Sequence, residues 1–428
     1  MSAQDADGGA AAEALAGGPV ASDGGVAAGA RMAEVAATFG RPDLDVATGV
    51  LDWYTAERAA LGGGDPSSVA IVDAHTHVGE HDPDTMRCSP DELIAHLVQA
   101  DAHGVVFPLR EPGGYPGPND AVIAAAAASG GRLTAFGRVD PAVEPAHEAR
   151  RTLDAGARGL KLHPRGEEFQ LDDARLEDTW ALAHERRVPV LVHAGRGIPS
   201  LGAHAVQVAT RYPGVRLILA HAGISDLAWI GRQAQELPNL YFDTSWWAPA
   251  DLLTLFATVP AGQILFASDA PYGRTPITAL EIIRIARQSG IDDERIKMVL
   301  GAQMQRLLAG EEPLDGGQPS GATKVDVDVL LDRVATYLTA GFGQLVARIP
   351  STEMFALARL SCAVPADSPQ AAHCRVIVDL LDAYERSLAL EMAKEVPGVL
   401  PGAVHLLALA LNVARTPDVP VPTELELE

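Results

Sequence analysis

Short apolar runs alternate with longer helical stretches between residues 68 and 310. There are eight apolar runs: VAIVDAH (69–75), GVVFPL (104–109), LTAFGRV (133–139), GLKLH (159–163), VPVLVH (188–193), VRLILAH (215–221), LYFDTS (240–245) and QILFASD (263–269). Strands separated by helices pair in parallel, and nearly continuous apolar runs are typical of strands covered on both faces. Eight such units in about 250 residues predict an α/β fold, a closed (β/α)8 TIM barrel.

The segments on either side of this barrel lack strand patterns. Residues 1–30 are rich in Ala, Gly and Asp, and we expect disorder because they contain few side chains that could form a core. Residues 31–67 show partly helical spacing and predict a helical lead-in. A Gly/Pro-rich linker is predicted at 311–324 and a helical C-terminal extension at 325–428. The final residues of that extension, TPDVPVPTELELE, are expected to fray.

Composition narrows the classes of partner. The 428-residue chain has a formal net charge of −23, which argues against nucleic acid or an anionic membrane as a partner. No apolar stretch reaches the roughly 18–20 residues that a membrane span needs. The acidic N-terminus does not resemble a secretory signal, so we expect a cytoplasmic protein. The three cysteines are too few for a disulfide framework, and Cys362 and Cys374 are expected to be buried thiols.

Metal-binding residue types stand at the ends of four of the predicted strands. His75 and His77 are two residues apart, so both side chains point to the same face of their strand. His193, His221 and Asp269 end three further apolar runs in the same way. The C-terminal ends of barrel strands form the active-site face of this fold. We therefore predict that His75, His77, His193 and Asp269 bind one divalent ion, Zn²⁺ or a similar metal.

Two of these residues also have a purely structural interpretation. Asp269 precedes Pro271 and could cap the N-terminus of a helix, a role that is compatible with metal binding. His221 could be a core histidine whose nitrogens bond to the backbone. Its LAHAG context repeats the LVHAG context of His193, which favours a role in the site.

Other strand ends supply candidates for substrate binding. Because loops after barrel strands form the pocket wall, an arginine there could hold a substrate carboxylate or pair with an acidic residue in a neighbouring loop. Of Trp246 and its neighbour Trp247, one is expected to line the pocket and the other to pack on a helix. The predicted substrate-binding residues are Lys161, His163, Arg138, Arg165, Asp243, Trp246 and Tyr272.

The motifs VDAHTH, GLKLHP, LVHAG, LAHAG, FDTSW and ASDAPYG together resemble the amidohydrolase superfamily, in the branch that includes relatives of aminocarboxymuconate semialdehyde decarboxylase. The resemblance covers about residues 68–310 and implies the same TIM barrel. It also implies that His221 is either a ligand of a second metal or a catalytic residue that transfers a proton or polarises the substrate, and we favour the second role. In the two-metal branch a carboxylated lysine bridges the ions, and Lys161 stands at the matching strand. The overall pattern favours the single-metal branch.

Three hypotheses for the function remain open. The first is a metal-dependent hydrolase in which activated water attacks an amide, ester or lactone of a small molecule, with Asp269 handling the proton. The second is a non-oxidative decarboxylase of an aromatic or enolic acid at the same site. The third is a non-catalytic binding protein, suggested by the C-terminal helices. Those helices also suggest a homodimer. The sequence departs from the family pattern in two places: the C-terminal helices are not part of the minimal barrel, and GAQMQRLL (301–308) differs from the last barrel helix of relatives.

Overall fold

The computed structural model describes residues 46–83, 86–195, 198, 201–224, 226–322, 327–347, 349–393 and 403–427. The predicted disorder at 1–30 lies outside these residues, as does the first part of the lead-in. Of the predicted lead-in segment, helix α1 (Thr48–Leu61) is described. The buried Arg58 on α1 donates hydrogen bonds to the backbone oxygen of Val69 at 2.7 and 3.0 Å, immediately before the barrel begins.

A single sheet of eight parallel strands forms the centre of the protein, in the order β1 to β8 along the chain. The strands are β1 (Ile71–Val78), β2 (Ala102–Pro108), β3 (Leu133–Arg138), β4 (Gly159–Leu162), β5 (Pro189–Val192), β6 (Arg216–Leu219), β7 (Leu240–Asp243) and β8 (Ile264–Leu265). The backbone N–H of Ala74 donates to Phe266 O at 2.9 Å, which joins β1 to the end of β8. The predicted TIM barrel is confirmed.

Helices follow the strands and cover the outside of the barrel. They are α2 (Pro90–Gln99), α3 (Pro116–Ala128), α4 (Pro145–Asp154), α5 (Glu177–Arg186), α6 (Leu201–Arg211), α7 (Leu227–Ala234), α8 (Pro249–Thr258), α9 (Thr275–Gln288), α10 (Asp293–Lys297) and α11 (Gln303–Ala309). A π-helical turn, Met298–Ala302, joins α10 to α11. Short 3-10 turns lie at Pro66–Ser68, Ala174–Leu176, His221–Gly223 and Ala261–Gln263.

Alternate residues of the strands fill the barrel interior. The interior cluster includes Val72, Ala74, Val105, Phe107, Phe136, Leu191, Ile218, Ala220, Tyr241, Leu265 and Ala267. These side chains close the barrel below the site, because residues two apart on a strand share a face. The polar residues that end the strands are therefore held at the rim of a packed core.

The eighth strand is much shorter than its apolar run predicts. The run covers 263–269, but regular pairing is confined to Ile264–Leu265. From Phe266 onward the backbone pairing with β7 is no longer regular: the Phe266 N–H donates to Val299 O at 2.9 Å, and the Ala267 N–H donates to the side chain of Thr244 at 3.0 Å. This departure carries Asp269 toward β1, where the N–H of His77 donates to Ala270 O at 2.7 Å.

Four helices follow the barrel in the described part of the chain. They are α12 (Val329–Val346), α13 (Thr352–Ser361), α14 (Ala371–Ala393) and α15 (Val404–Arg415). Their buried residues form one continuous core with the outer layer of the barrel. Asn412 on α15 donates to the backbone oxygen of Glu281 on α9 at 3.2 Å, which docks the extension on the barrel. Cys362 and Cys374 are buried free thiols.

The C-terminal tail packs against the barrel, and the expectation that it frays is wrong for the residues nearest α15. Thr416 is fully buried, and Arg284 on α9 donates to its hydroxyl at 2.7 Å and to Pro420 O at 2.7 Å. A buried arginine needs several acceptors, and tail carbonyls supply them. Among the described helices, none combines the length and apolar character needed to cross a bilayer.

Candidate metal centre

Three of the four predicted metal ligands converge at the rim of the barrel. His75 Nε2 and His77 Nε2 are 3.1 Å apart, and Asp269 Oδ1 lies 3.2 Å from the first and 3.0 Å from the second. The side chains of both histidines are nearly fully buried, whereas that of Asp269 is 22% exposed. Ligand atoms of a tetrahedral zinc site are about 3.4 Å apart. The three atoms are thus spaced almost as a divalent cation requires.

A buried aspartate holds the turn that carries Asp269. Asp73, on β1, accepts hydrogen bonds from Ser268 N at 2.9 Å, Ser268 Oγ at 2.5 Å and Thr275 Oγ1 at 2.7 Å. Burial raises the pKa of Asp73 to about 6, against the lowering effect of these donors. Asp269 itself has a φ of +60°, which is costly for a residue with a side chain. Asp73 therefore holds this strained turn in the position where the Asp269 carboxylate faces the histidines.

The tautomer of His75 is set by Asp243, which lies behind it. His75 Nδ1 donates to Asp243 Oδ2 at 2.8 Å, which leaves the lone pair of Nε2 toward His77 and Asp269. The other oxygen of Asp243 accepts from the backbone N–H groups of His221 at 2.9 Å and Ser245 at 3.0 Å. Asp243 is fully buried and does not border the cavity. This geometry is that of a residue that orients a metal ligand.

Replacing Asp243 by asparagine is expected to weaken divalent-ion binding by about 10- to 100-fold, because the variant loses the charge that fixes and polarises His75. Competition with a chromogenic chelator measures this affinity. The exposed Asp154, which pairs with Arg186, provides the matched control Asp154→Asn. Unchanged affinity in Asp243→Asn would show that His75 needs no anionic partner.

His193, the fourth predicted ligand, lies beside the three but does not join their cluster. His221 Nδ1 donates to Ser245 O at 2.7 Å, and His221 Nε2 accepts from His193 Nδ1 at 2.9 Å. His193 Nε2 is left as a buried lone pair that has no hydrogen-bond partner among the described residues. A Cβ at Gly195 would lie 2.8 Å from that atom, so the glycine keeps it accessible. An orphaned acceptor of this kind suits a cation.

Two cationic or polar neighbours lie close to the histidines. Lys161, on β4, is fully buried, with Nζ 3.2 Å from His75 Nε2 and 4.5 Å from the centre of the Phe107 ring. Burial lowers its pKa to about 7. The ring of His163 stacks on that of His193 at 3.9 Å. Lys161 and His163 therefore border the same space, as the shared strand face predicts.

Burial also controls the charge of the site. It is the largest cause that lowers the pKa of His75, His77, His163 and His193 well below the usual range, so these imidazoles are neutral and able to bind a metal. Burial raises the pKa of Asp269 to about 6, opposed by His221 and Lys161.

A cavity of about 560 Å³ opens above the cluster, and most of the predicted site residues line it. The predicted site residues on its wall are His75, His77, Arg138, Lys161, His163, Arg165, His193, His221, Trp246, Asp269 and Tyr272. Arg138 is buried and committed to Glu167 at 2.7 Å and to Pro108 O at 3.1 Å. Tyr272 is 43% exposed, and its hydroxyl lies 3.3 Å from Asp82.

Trp246 and Trp247 both border the cavity, and Trp247 also packs on a helix, as expected of one of the two. The alternation of a regular strand does not apply, because β7 ends at Asp243 and the tryptophans lie on an irregular segment. Trp246 Nε1 donates to Asp251 at 2.7 Å. The ring of Trp247 stacks on Phe342 of α12 at 4.2 Å.

Sequence reasoning missed several residues on the cavity wall. Arg110 follows β2 and could have been found by the rule that selected Arg138 and Arg165. Ser245 lies two residues after Asp243 in the FDTSW motif, and its backbone N–H donates to the Asp243 carboxylate. Glu281, on α9, is an acidic residue in an isoleucine-rich helix, which was the one available signal. No sequence feature indicated that residues of α12 and α15 would line the cavity.

A TIM barrel with histidines and an aspartate converging at the C-terminal ends of its strands defines a candidate metalloenzyme. The family model described as "Amidohydrolase" matches residues 72–302, and the chain belongs to this enzyme family. No curated protein matches the sequence.

Several solved structures are similar to part of this chain. They include an uncharacterized TIM-barrel protein from Bordetella bronchiseptica (19% identity, TM-score 0.47, covering 56% of this chain and 98% of that one). A putative amidohydrolase from Staphylococcus aureus is 17% identical, with a TM-score of 0.47, and the match covers 56% of this chain and 99% of that one. A 2,6-dihydroxybenzoate decarboxylase from Rhizobium is 14% identical, with a TM-score of 0.45, and the match covers 56% of this chain and 98% of that one.

Proposed function

We propose that this protein is a metal-dependent hydrolase that uses one divalent ion, with Zn²⁺ as our first candidate, to cleave an amide, ester or lactone in a small molecule. The observation that carries this proposal is the convergence of His75 Nε2, His77 Nε2 and Asp269 Oδ1 within 3.2 Å of one another. The orphaned Nε2 of His193 supports its inclusion as the fourth ligand. Three imidazoles and one carboxylate are a suitable ligand set for a borderline ion.

When bound, a divalent ion lowers the pKa of water and polarises a carbonyl group. Residues of the chain carry out the proton transfers of the reaction. Asp269 is the carboxylate that accepts the proton of the attacking water and returns it to the leaving nitrogen or oxygen, since a raised pKa suits a group that must both take and give a proton. Water adds to the carbonyl carbon, the bond to the leaving group breaks, and an acid and an amine or alcohol result.

His221 has a supporting role in this proposal. Both of its nitrogens are engaged, one with Ser245 O and the other with His193, so it positions His193. Direct proton transfer to the substrate, which the resemblance also implies, requires the His221 Nε2 atom to leave His193.

Two arginines indicate the charge of the substrate. Arg110 and Arg165 are exposed at the edge of the cavity, and neither forms a hydrogen bond or ion pair with another described residue. Two exposed guanidinium groups at the edge of the cavity favour a substrate that carries a carboxylate near the reacting carbonyl.

A non-oxidative decarboxylase is the second candidate. It is favoured by Lys161, a buried amine 3.2 Å from His75 Nε2, which could hold the carboxylate that leaves as carbon dioxide. In that reaction the bond between the carboxyl carbon and the ring or enol carbon breaks, and a proton from His221 or Asp269 takes its place. The same ligands would be used.

Metal content and reaction products test the proposal together. Protein purified without a metal-affinity tag is expected to contain about one divalent ion per chain, lost in His77→Ala and retained in Lys161→Ala. About two ions per chain, with loss in Lys161→Ala, would instead indicate a lysine-bridged pair. No metal under any loading condition would refute the mechanism.

A substrate panel separates the two reactions. Carboxylate-bearing amides, esters and lactones are incubated in isotopically labelled water beside aromatic acids. Incorporation of one labelled oxygen into an acid product supports the hydrolase. Release of carbon dioxide, with no labelled acid, would overturn it in favour of the decarboxylase.

A further inference from the structure

The cavity above the metal centre extends away from the barrel into a chamber between three helices. We call it the side chamber. Its walls are Ile277, Thr278 and Glu281 of α9, Phe342 and Val346 of α12, and Val404, His405 and Ala408 of α15. The positions on each helix are three or four residues apart or adjacent, so each helix presents one face to the chamber. Helices α12 and α15 lie outside residues 72–302, so this chain adds the chamber to the family barrel.

The walls of the side chamber are mostly apolar, with one buried carboxyl group. Glu281 is 7% exposed, and its Oε1 atom has no hydrogen-bond partner among the described residues. Burial raises the pKa of Glu281 to about 8, with no neighbouring charge to oppose it. A buried carboxyl group without a partner is destabilising, so the open side of Glu281 is the place where a ligand could compensate it.

Arg274 precedes α9, and Arg284 and Arg287 lie on it, but none of the three pairs with Glu281; Arg287 pairs with Glu57. Arg274 directs its guanidinium to Pro271 O at 2.7 Å and Gly273 O at 3.0 Å. Arg284 is bonded to the C-terminal tail through Thr416 and Pro420. Both cations are held by these acceptors, and although Arg274 borders the cavity, neither cation offsets the effect of burial on the pKa of Glu281. Among the described residues no cation is paired with Glu281, so a molecule in the cavity is the candidate source of the matching charge.

The two ends of the cavity differ in charge. The metal end has Lys161 together with the exposed Arg110 and Arg165, whereas the side chamber has Glu281 among mostly apolar side chains, with Thr278 and His405 also on its wall. A ligand that spans the cavity would place an anionic or carbonyl group at the first end and a cationic group at the second. An ammonium group supplies both a countercharge and three donors, whereas a hydroxyl group supplies one neutral donor.

We propose that the side chamber binds the distal part of the substrate, an apolar segment that ends in a primary amine, with the ammonium group paired to the Glu281 carboxylate. This assignment rests on the proposed function for the reacting end of the molecule. It makes Glu281 a specificity residue that never contacts the metal. The substrate class becomes a small amine-terminated amide, ester or lactone.

Binding of simple amines tests the side chamber without any need for turnover. Primary alkylamines of three to six carbons are titrated calorimetrically into the metal-loaded protein, with alkanols of equal length as neutral analogues. Glu281→Gln keeps the shape of the side chain but removes its charge, and the exposed Glu353→Gln is the matched control. We expect amine binding to weaken about 10-fold or more in Glu281→Gln, with no change for alkanols or in Glu353→Gln.

Two further variants separate the possible failures. Val346→Trp should narrow the chamber and weaken amines and alkanols alike. His77→Ala should leave amine binding intact, because the amine is not a metal ligand. Equal amine affinity in wild type and Glu281→Gln, or loss of binding in His77→Ala instead, would overturn the proposal. Amine binding that depends on Glu281 in a protein without hydrolase activity would support the chamber and refute only the proposed reaction.

Discussion

Replacing Asp269 by asparagine is expected to lower kcat/KM by about 1,000-fold or more and to weaken divalent-ion binding. The variant keeps the size of the side chain but loses both the anionic ligand and the group that exchanges a proton with water. Asp269 Oδ1 lies 3.0 Å from His77 Nε2, so its charge acts directly on the metal position. Steady-state kinetics on the substrate found by the panel, with elemental analysis of the same preparation, measures both effects.

The control for this variant is Asp178→Asn, which changes the same residue type at an exposed position on α5. Its kinetics and metal content should match the wild type. If Asp269→Asn retained full turnover, Asp269 could not be the proton carrier. If it retained metal but lost turnover, the two roles would separate, and His75, His77 and His193 would suffice for binding.

The barrel could be predicted because its signal is local and repeated. Each strand of this fold is buried on both faces, so each leaves an apolar run, and eight runs with helices between them leave few alternatives. The eighth run shows the limit of this reasoning. Its apolar character continues to Asp269, but regular pairing with β7 ends at Leu265, and the following residues also bond to other elements, Phe266 to Val299 and Ala270 to His77.

The sequence predicts which residues belong to the candidate site, but it does not predict which of their side chains contact each other. Strand ends identify the residues that share the barrel rim, which is why most of the predicted residues border one cavity. Which of them orient others depends on side-chain rotamers. Asp243, predicted to bind substrate, instead lies behind His75 and hydrogen-bonds to it. Arg138, another candidate for substrate, is bound to Glu167.

The side chamber lay beyond sequence reasoning for a different reason. Its walls come from α9, α12 and α15, which are distant in sequence, and apolar helix faces do not specify which surface they cover. The helix Val404–Arg415 lies within the helical extension predicted at 325–428, but that prediction did not say which surface the helix covers. The packed tail at Thr416 and Pro420 depends on Arg284, more than 130 residues earlier in the chain.

Glu281→Gln is expected to stabilise the fold, and the gain should depend on pH. The pKa of Glu281 is about 8 in the folded state against a usual value of 4.5. Because the folded-state pKa is raised, the contribution of this group to stability is fully present below about pH 4.5 and is lost as the pH rises to about 8. Glutamine does not titrate, so the difference in unfolding free energy between variant and wild type should grow over that range, by several kcal/mol in order of magnitude.

Chemical denaturation at pH 5 and pH 8.5 measures this difference, with Glu353→Gln as the exposed control. Other buried carboxyl groups with a raised pKa, such as Asp73, are present in both proteins and cancel in the comparison. A difference that stays constant between the two pH values would mean that the Glu281 carboxylate already has a partner. In the presence of a saturating alkylamine the wild type should recover part of the stability lost at pH 8.5, whereas the variant should not. That recovery would connect the thermodynamic cost of an unpaired buried carboxyl group to the ligand that compensates it.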